Sequence, residues 1–434
     1  MFADVTSLFP HTPERSWASE IRILQLTNGG YHSNIYPETP VWLSDGRRFL
    51  ISNAEGYAIA SLDGSEPETV LPKVFPDGTR PTSVCVSLDG RFLYWLAISG
   101  EGLAIRSALW RRDMQTGSFE KVMDTPDKLD GYHPSRFYSI GTISSDGKRY
   151  ATSAFLGDGT YVNAPTGLFV YDIERGTCSL IGQDPDWGNA HLQYCRSTDA
   201  DASHDLLIQM NHGMQRDKDG VCTLGQEPLP TGLGVDCHVI RDDGTHWRDL
   251  PWGRDGIESC IGHQAWRSDG VSCITVTLQN DDPSYGLEPD TRQHVVEGWP
   301  IETVRSQPHI GAKIPGARRR TLDDGFVDPR FCHFFCSADG LHFAFDTFIC
   351  AGEGSPRGET GIGQRLYIAI DDGQRLHFRY LANTRGKFLG PESNHAHPIL
   401  TPDNTGLLFN STVSGVSQIY MIEGFSWEEL LKGA

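Results

Sequence analysis

The sequence predicts an all-β fold, a seven-bladed β-propeller spanning residues 1–434 as one domain. Three observations lead there. A hairpin-bearing pattern recurs seven times, helical periodicity is nearly absent outside the C-terminal "SWEELLKG", and each repeated unit is too small to bury a face without a neighbour.

The repeated pattern is an apolar run, a small residue, Asp-Gly or Asp-Asn, then another apolar run. It reads "PVWLSDGRRFLIS" around Asp45, "SVCVSLDGRFLYWLA" around Asp89, "GTISSDGKRYATSA" around Asp146, "HQAWRSDGVSCITVT" around Asp269, "HFFCSADGLHFAFD" around Asp339 and "HPILTPDNTGLLFNS" around Asp403. A degenerate seventh copy is "HLQYCRSTDADASHDLLIQM", with Ser197 and Asp199 at its turn. Asp-Gly and Asp-Asn tolerate the positive φ that a tight hairpin turn demands, so each copy is read as two strands and a turn. Further short strand signals such as "LFVYDIERGTCSLI" and "RLYIAIDDGQRLHF" lie between copies and complete four-stranded blades. The segment 281–325 shows no clear strand pattern and is read as a long irregular insert, with "GARRRTL" inside it as a solvated loop.

Composition narrows the partners. The 434 residues are 38% hydrophobic and 10% aromatic, enough for a large core, and the formal net charge is −19. Phosphate binding is driven by clustered Lys and Arg, so nucleic-acid and anionic-membrane partners are not expected. No run of apolar residues has the length of a membrane span and the N-terminus has no basic, apolar leader pattern, which points to a cytoplasmic protein. Ten cysteines are scattered without a CxxC pair and are read as reduced, buried thiols.

The histidines follow the repeat. His263 lies six residues before Asp269, His333 six before Asp339, and His397 six before Asp403. His191 takes the same register if Ser197 stands in the Asp place, whereas the first three copies carry Thr39, Ser83 and Ile140 there. In a propeller the innermost strands line the central channel, so one repeat register on neighbouring blades gathers residues distant in sequence. His395, two residues before His397, shares its strand face, and Glu392 adds a carboxylate just upstream. Neutral imidazoles with a carboxylate suit a first-row divalent metal such as Mn, Fe, Ni or Zn better than Mg or Ca. His212, His32, Tyr31, Asn34 and Trp266 are further pocket candidates.

The stretches "NAHLQYCRS", "MNHG", "ESCIGHQAWRSDG", "CHFFCSADG" and "ESNHAHPILTPDNTGLLFNSTVSGVSQIY", with "YHSNIYPETPVWLSDGRRFLIS" near the N-terminus, resemble in blade order the oligogalacturonate lyases. These are seven-bladed propellers of pectin degradation that cleave α-1,4-linked galacturonate oligomers by β-elimination with Mn²⁺. The resemblance implies that His333, His395 and His397 hold the metal, that Glu392 falls where the family has a Gln ligand, and that His263 abstracts the proton. His191 and His212 are the further catalytic candidates, for protonating the leaving oxygen or contacting sugar hydroxyls. One departure is evident: near the position of a family Arg this chain has Asp236, which leaves the identity of the uronate oligosaccharide open. Arg216 and Arg241 are the nearest guanidinium groups in sequence.

Two other classes use similar features. A non-catalytic propeller shares the turn pattern, since fold alone does not give function, but has no reason to place imidazoles in one register on successive blades. A metal-dependent sugar hydrolase or epimerase would need a carboxylate pair or a second base, for which Glu258 and Asp328 are the candidates. Oligomeric state has no signature in the sequence.

Overall fold

The computed structural model describes residues 3–9, 21–223, 235–253, 258–267, 270–279, 292–305, 311–325, 331–347, 363–386 and 395–432. Its strands form a seven-bladed β-propeller, all antiparallel within the blades. Residue contacts divide the chain into two compact units, one made of Met1–Pro37, Val41–Lys73 and Leu322–Ala434, the other of Glu38–Pro40 and Val74–Thr321.

The first unit carries three blades. One runs His32–Asn34, Arg48–Asn53, Gly56–Ser61, Glu68–Pro72, and another Phe331–Cys336, His342–Thr347, Arg365–Asp371, Leu376–Asn383. The third joins the two ends of the chain: Arg22–Gln25 pairs with Gln418–Glu423, which continues to Gly406–Ser411 and Ile399–Leu400. Its core holds Phe9 edge-on to Phe409 and Tyr420 at 5.7 and 5.3 Å between ring centroids. Phe409 is fully buried there. Phe409→Ala should therefore destabilise by about 3–5 kcal/mol, read as a lower midpoint of denaturant unfolding.

The second unit carries four blades. Arg80–Val86, Phe92–Ser99, Arg106–Asp113 and Phe119–Asp124 form one, and Thr142–Ile143, Arg149–Phe155, Thr166–Asp172 and Thr177–Asp184 the next. The last two are joined in one ten-stranded sheet. Gln193–Tyr194, Asp205–Asn211, Val235–Arg241 and Arg248–Asp249 build the first of these, and Ala265–Trp266, Cys273–Gln279, Arg292–Trp299 and Arg318–Thr321 the second. Apolar clusters fill the spaces between successive blades, as where Tyr94, Leu96 and Leu109 meet Tyr150, Phe169 and Tyr171.

The recurrent Ser/Thr-x-Asp motif has a local cause. In four blades the hydroxyl of Ser87, Ser144, Ser337 or Thr401 donates to the Asp two residues on. The same oxygen accepts the backbone N–H five residues on, at 2.9–3.1 Å. Each Asp in turn caps the N–H two residues after it, at 2.8–3.2 Å. The turn residue that follows has positive φ, as at Gly90 (70°), Gly147 (70°), Gly340 (71°) and Asn404 (57°). The motif thus satisfies the turn's backbone donors without help from neighbouring blades.

Within 281–325, read from the sequence as irregular, the described residues, 292–305 and 311–325, contain strands. In Arg292–Trp299, residues 292–298 pair with Cys273–Gln279, and Arg318–Thr321 pairs with the strand on the other side. Nor is "GARRRTL" a solvated loop. Arg318 lies over the Trp299 ring at 3.9 Å, Arg319 makes a two-pronged pair with Glu258 at 3.0 and 2.7 Å, and Arg320 pairs with Glu297 at 2.8 Å. Charged side chains are at home on an outer strand because that strand has a solvent edge, and two buried carboxylates need the cations. Glu258 is thereby committed to Arg319, and Asp328 lies outside the described residues. No disulfide joins the nine described cysteines, seven of which are buried, and among the described residues no helix is long and apolar enough to cross a membrane.

Candidate metal centre

His333 sits in Phe331–Cys336, where the pairing register breaks between Phe331 and Phe334. Such a bulge re-aims the side chain that falls in it. His397 reaches its place differently, through a left-handed backbone at φ 43° just before Ile399–Leu400. Ser83, His191 and His263, at the same repeat register, share that backbone with φ of 53°, 44° and 53°. A left-handed residue bearing a Cβ is strained by about 1–2 kcal/mol. Its recurrence at one register marks it as a built feature of the blade entrance.

His333, His395 and His397 come together. Nδ1 of His395 lies 3.4 Å from Nε2 of His333, and the His333 ring stands nearly perpendicular to that of His397 at 4.7 Å between centroids. Ligand atoms of all three lie within 4.8 Å of one another. His333 and His397 are buried, and His395 is half-buried. Tyr36 packs against both buried rings, at 5.4 and 4.9 Å.

Asp346 orients the cluster, and sequence reasoning missed it. Its carboxylate accepts from the backbone N–H of His333 at 2.8 Å and of His397 at 3.2 Å. Each oxygen also lies 3.1 Å from Nδ1 of His333. Burial pushes the Asp346 carboxyl up to about 7, against the pull of the His333 amide and the nearby His395. When Asp346 is ionised it only accepts, so Nδ1 of His333 then carries the proton and Nε2 is left with its lone pair toward His395. Asn410 donates to the His395 carbonyl at 3.0 Å and Asn34 to that of His397 at 3.2 Å. Gln364 accepts the Ala396 N–H at 2.6 Å. Three converging imidazoles, one with its outer nitrogen held by a carboxylate, fit a first-row divalent ion. Glu392 lies outside the described residues.

His191 and His263 form a second pair in the other unit, with ring centroids 5.5 Å apart and planes at 76°. Nδ1 of His191 meets Glu38 Oε2 at 3.0 Å, both side chains buried. Glu38 therefore fixes the tautomer of His191 much as Asp346 does that of His333. The "PETP" that contains Glu38 carries no visible signal, although a carboxylate between two prolines in an apolar setting needs a buried partner.

His212 does not join that pair. Its Nε2 contacts Asp236 at 2.7 Å and its Nδ1 Asp186 at 3.2 Å, and Asp236 also contacts Nε2 of His238 at 2.9 Å. Burial opposes charge on both Asp236 and His238. Their mutual attraction outweighs it, so Asp236 is held well below the usual carboxylate range and His238, flanked also by Asp249, is raised to about 9. Trp266 is not a pocket residue. It is buried in the blade core with its indole N–H donating to the Gln193 carbonyl at 3.1 Å. His32 is likewise buried, 3.3 Å from Gln418, and burial lowers its pKa.

Solved structures match this arrangement of blades. An oligogalacturonate lyase in complex with manganese is 18% identical, with 98% of this chain and 97% of that chain covered and a TM-score of 0.66. An oligogalacturonate lyase from Vibrio parahaemolyticus is 16% identical, with 94% of each chain covered and a TM-score of 0.63. The fold is the one these lyases have. No protein-family model and no curated protein matches the sequence.

Proposed function

We propose that the protein is a metal-dependent lyase that cleaves oligogalacturonate, or a related uronate-containing oligosaccharide, by β-elimination to a 4,5-unsaturated product. The observation that carries this reading is the cluster of His333, His395 and His397 with Asp346 behind it. Its likeness in fold to two oligogalacturonate lyases, one with manganese, supports it. In this reading the three imidazoles and Glu392 hold Mn²⁺ or another first-row divalent ion. When bound, the ion would neutralise the uronate carboxylate and so make the proton on C5 more acidic.

The remaining work belongs to side chains of the chain. His263, as a neutral imidazole, takes the C5 proton, a contribution of about 10²–10⁴-fold for a positioned base. The C5–H electrons form the C4=C5 bond as the C4–O bond breaks, and the departing oxygen takes a proton. His191 is assigned to that oxygen; to supply the proton it must enter the step as the imidazolium, its Nδ1–H held by Glu38 and its Nε2–H passed to the oxygen. His212, engaged by two carboxylates, is not given this role.

The test is to incubate the purified, metal-loaded protein with a panel of uronate oligosaccharides and follow the ultraviolet absorbance of the conjugated product. Absorbance should rise on at least one of them and cease on chelation. No product from any uronate tested sinks the reading. Asp346→Asn should keep the shape of the cluster while weakening metal binding by about 10–100-fold, measured by competition with a chelating dye.

A further inference from the structure

We propose that His212, Asp236 and His238 form a second site for a first-row divalent metal ion, with Asp186 and Asp249 orienting the two imidazoles. The inference does not rest on the lyase reading. It starts from strand geometry. Asp236 and His238 are alternate residues of Val235–Arg241 and share one face. Asp205–Asn211 pairs with that strand, Met210 opposite Asp236 and Asn211 opposite Val235, so the residue that follows, His212, is delivered beside Asp236.

The donors converge. Asp236 Oδ1 lies 2.7 Å from Nε2 of His212 and 2.9 Å from Nε2 of His238. An ion about 2.0–2.2 Å from each donor, with donors at right angles, would place neighbouring donors about 3 Å apart, so the observed spacing needs to open by only a few tenths of an ångström. On the far side of each ring stands a different carboxylate. Nδ1 of His212 meets Asp186 Oδ2 at 3.2 Å, and Nδ1 of His238 meets Asp249 Oδ1 at 2.6 Å. These outer carboxylates are themselves held, Asp186 by the Gly213 N–H at 3.0 Å and Asp249 by the Trp247 indole N–H at 2.9 Å. A histidine whose outer nitrogen donates to a fixed carboxylate while the inner one faces a shared point is how metal ligands are oriented. Here it occurs twice around one aspartate, with the ion taking the place of the protons on the two inner nitrogens, which are released to solvent.

Burial adds a direction. The His238 and Asp236 side chains are 9% and 10% exposed, whereas His212 and Asp186 are 14% and 22% exposed. Solvent or a ligand would therefore enter on the His212 side, completing a shell that three protein donors leave open. Two imidazoles and one carboxylate select the same class of ion as the His333 cluster.

The test is a count of metal per chain on the intact protein. After chelation and dialysis, Co²⁺ is titrated into wild type, and bound metal is measured together with the visible absorption of the ion. His238→Gln, which keeps the bulk of the side chain, and Asp236→Asn should each lose one equivalent relative to wild type. His397→Ala should lose a different equivalent, and His238→Gln combined with His397→Ala should lose both. The wild-type endpoint should exceed that of His397→Ala by one, with a residual Co²⁺ spectrum still present in the variant. If His238→Gln and Asp236→Asn bind as much Co²⁺ as wild type, or if His397→Ala binds none, the proposal is overturned and the network is a metal-free chain of imidazole–carboxylate hydrogen bonds. Because the count needs no substrate, a lyase assay without product would leave this result standing.

Discussion

His397→Ala is expected to empty the His333 cluster of metal and to abolish turnover. His397 is one of three imidazoles whose ligand atoms lie within 4.8 Å of one another. Removing it takes away a donor rather than a residue behind a donor, so the loss of affinity should exceed the about 10–100-fold that an outer partner contributes. The substitution should leave the blade intact. Asp346 is held by the His397 backbone N–H, not its ring, and Asn34 by the His397 carbonyl. Elemental analysis with the unfolding midpoint separates the outcomes: metal and activity lost together is expected, with the midpoint lowered only by the strain of alanine at φ 43°, and full occupancy at wild-type affinity would remove His397 from the ligand set. His333→Ala should lose both as well, with a larger loss of stability, because the fully buried Asp346 then loses its imidazole partner.

What the sequence made legible was whatever repeats or satisfies itself locally. The Asp-Gly turns are closed by hydrogen bonds within five residues, so seven hairpins could be counted before any tertiary contact was known. The imidazole register followed from the same counting. Elements defined by a distant partner stayed hidden. Arg22–Gln25 has no turn of its own and becomes a strand because Gln418–Glu423 offers an open edge almost 400 residues later. Arg318, Arg319 and Arg320 looked solvated because their partners Trp299, Glu258 and Glu297 come from neighbouring strands. The site divides in the same way. His333, His395 and His397 announce themselves by register, whereas Asp346 and Glu38 matter through the imidazole each one holds, at separations of 13 and 153 residues. Asp346 did leave a trace, an acidic residue closing the apolar run "HFAFD", where a charge must be paired if it is buried.

His263→Asn is expected to retain metal and fold yet lose at least about 100-fold in turnover, the lower end of what a positioned general base contributes. Asparagine is the informative substitution because His263 has φ 53°, a backbone that asparagine takes more readily than other residues bearing a Cβ. His263→Ala tests the same loss with added strain at that position, so agreement between the two variants assigns the effect to the missing imidazole. In the proposed mechanism His263 is not a metal ligand, and bound metal should match wild type in both. An imidazole base must be neutral to accept a proton, so wild-type turnover should fall on acidification as the base becomes protonated. The residual activity of His263→Asn should lose that acid limb if the limb belongs to His263. A metal-replete His263→Asn enzyme with near-normal turnover would reassign the base, and His191 would be the next residue to test, since Glu38 already holds its Nδ1 and leaves Nε2 to accept the proton.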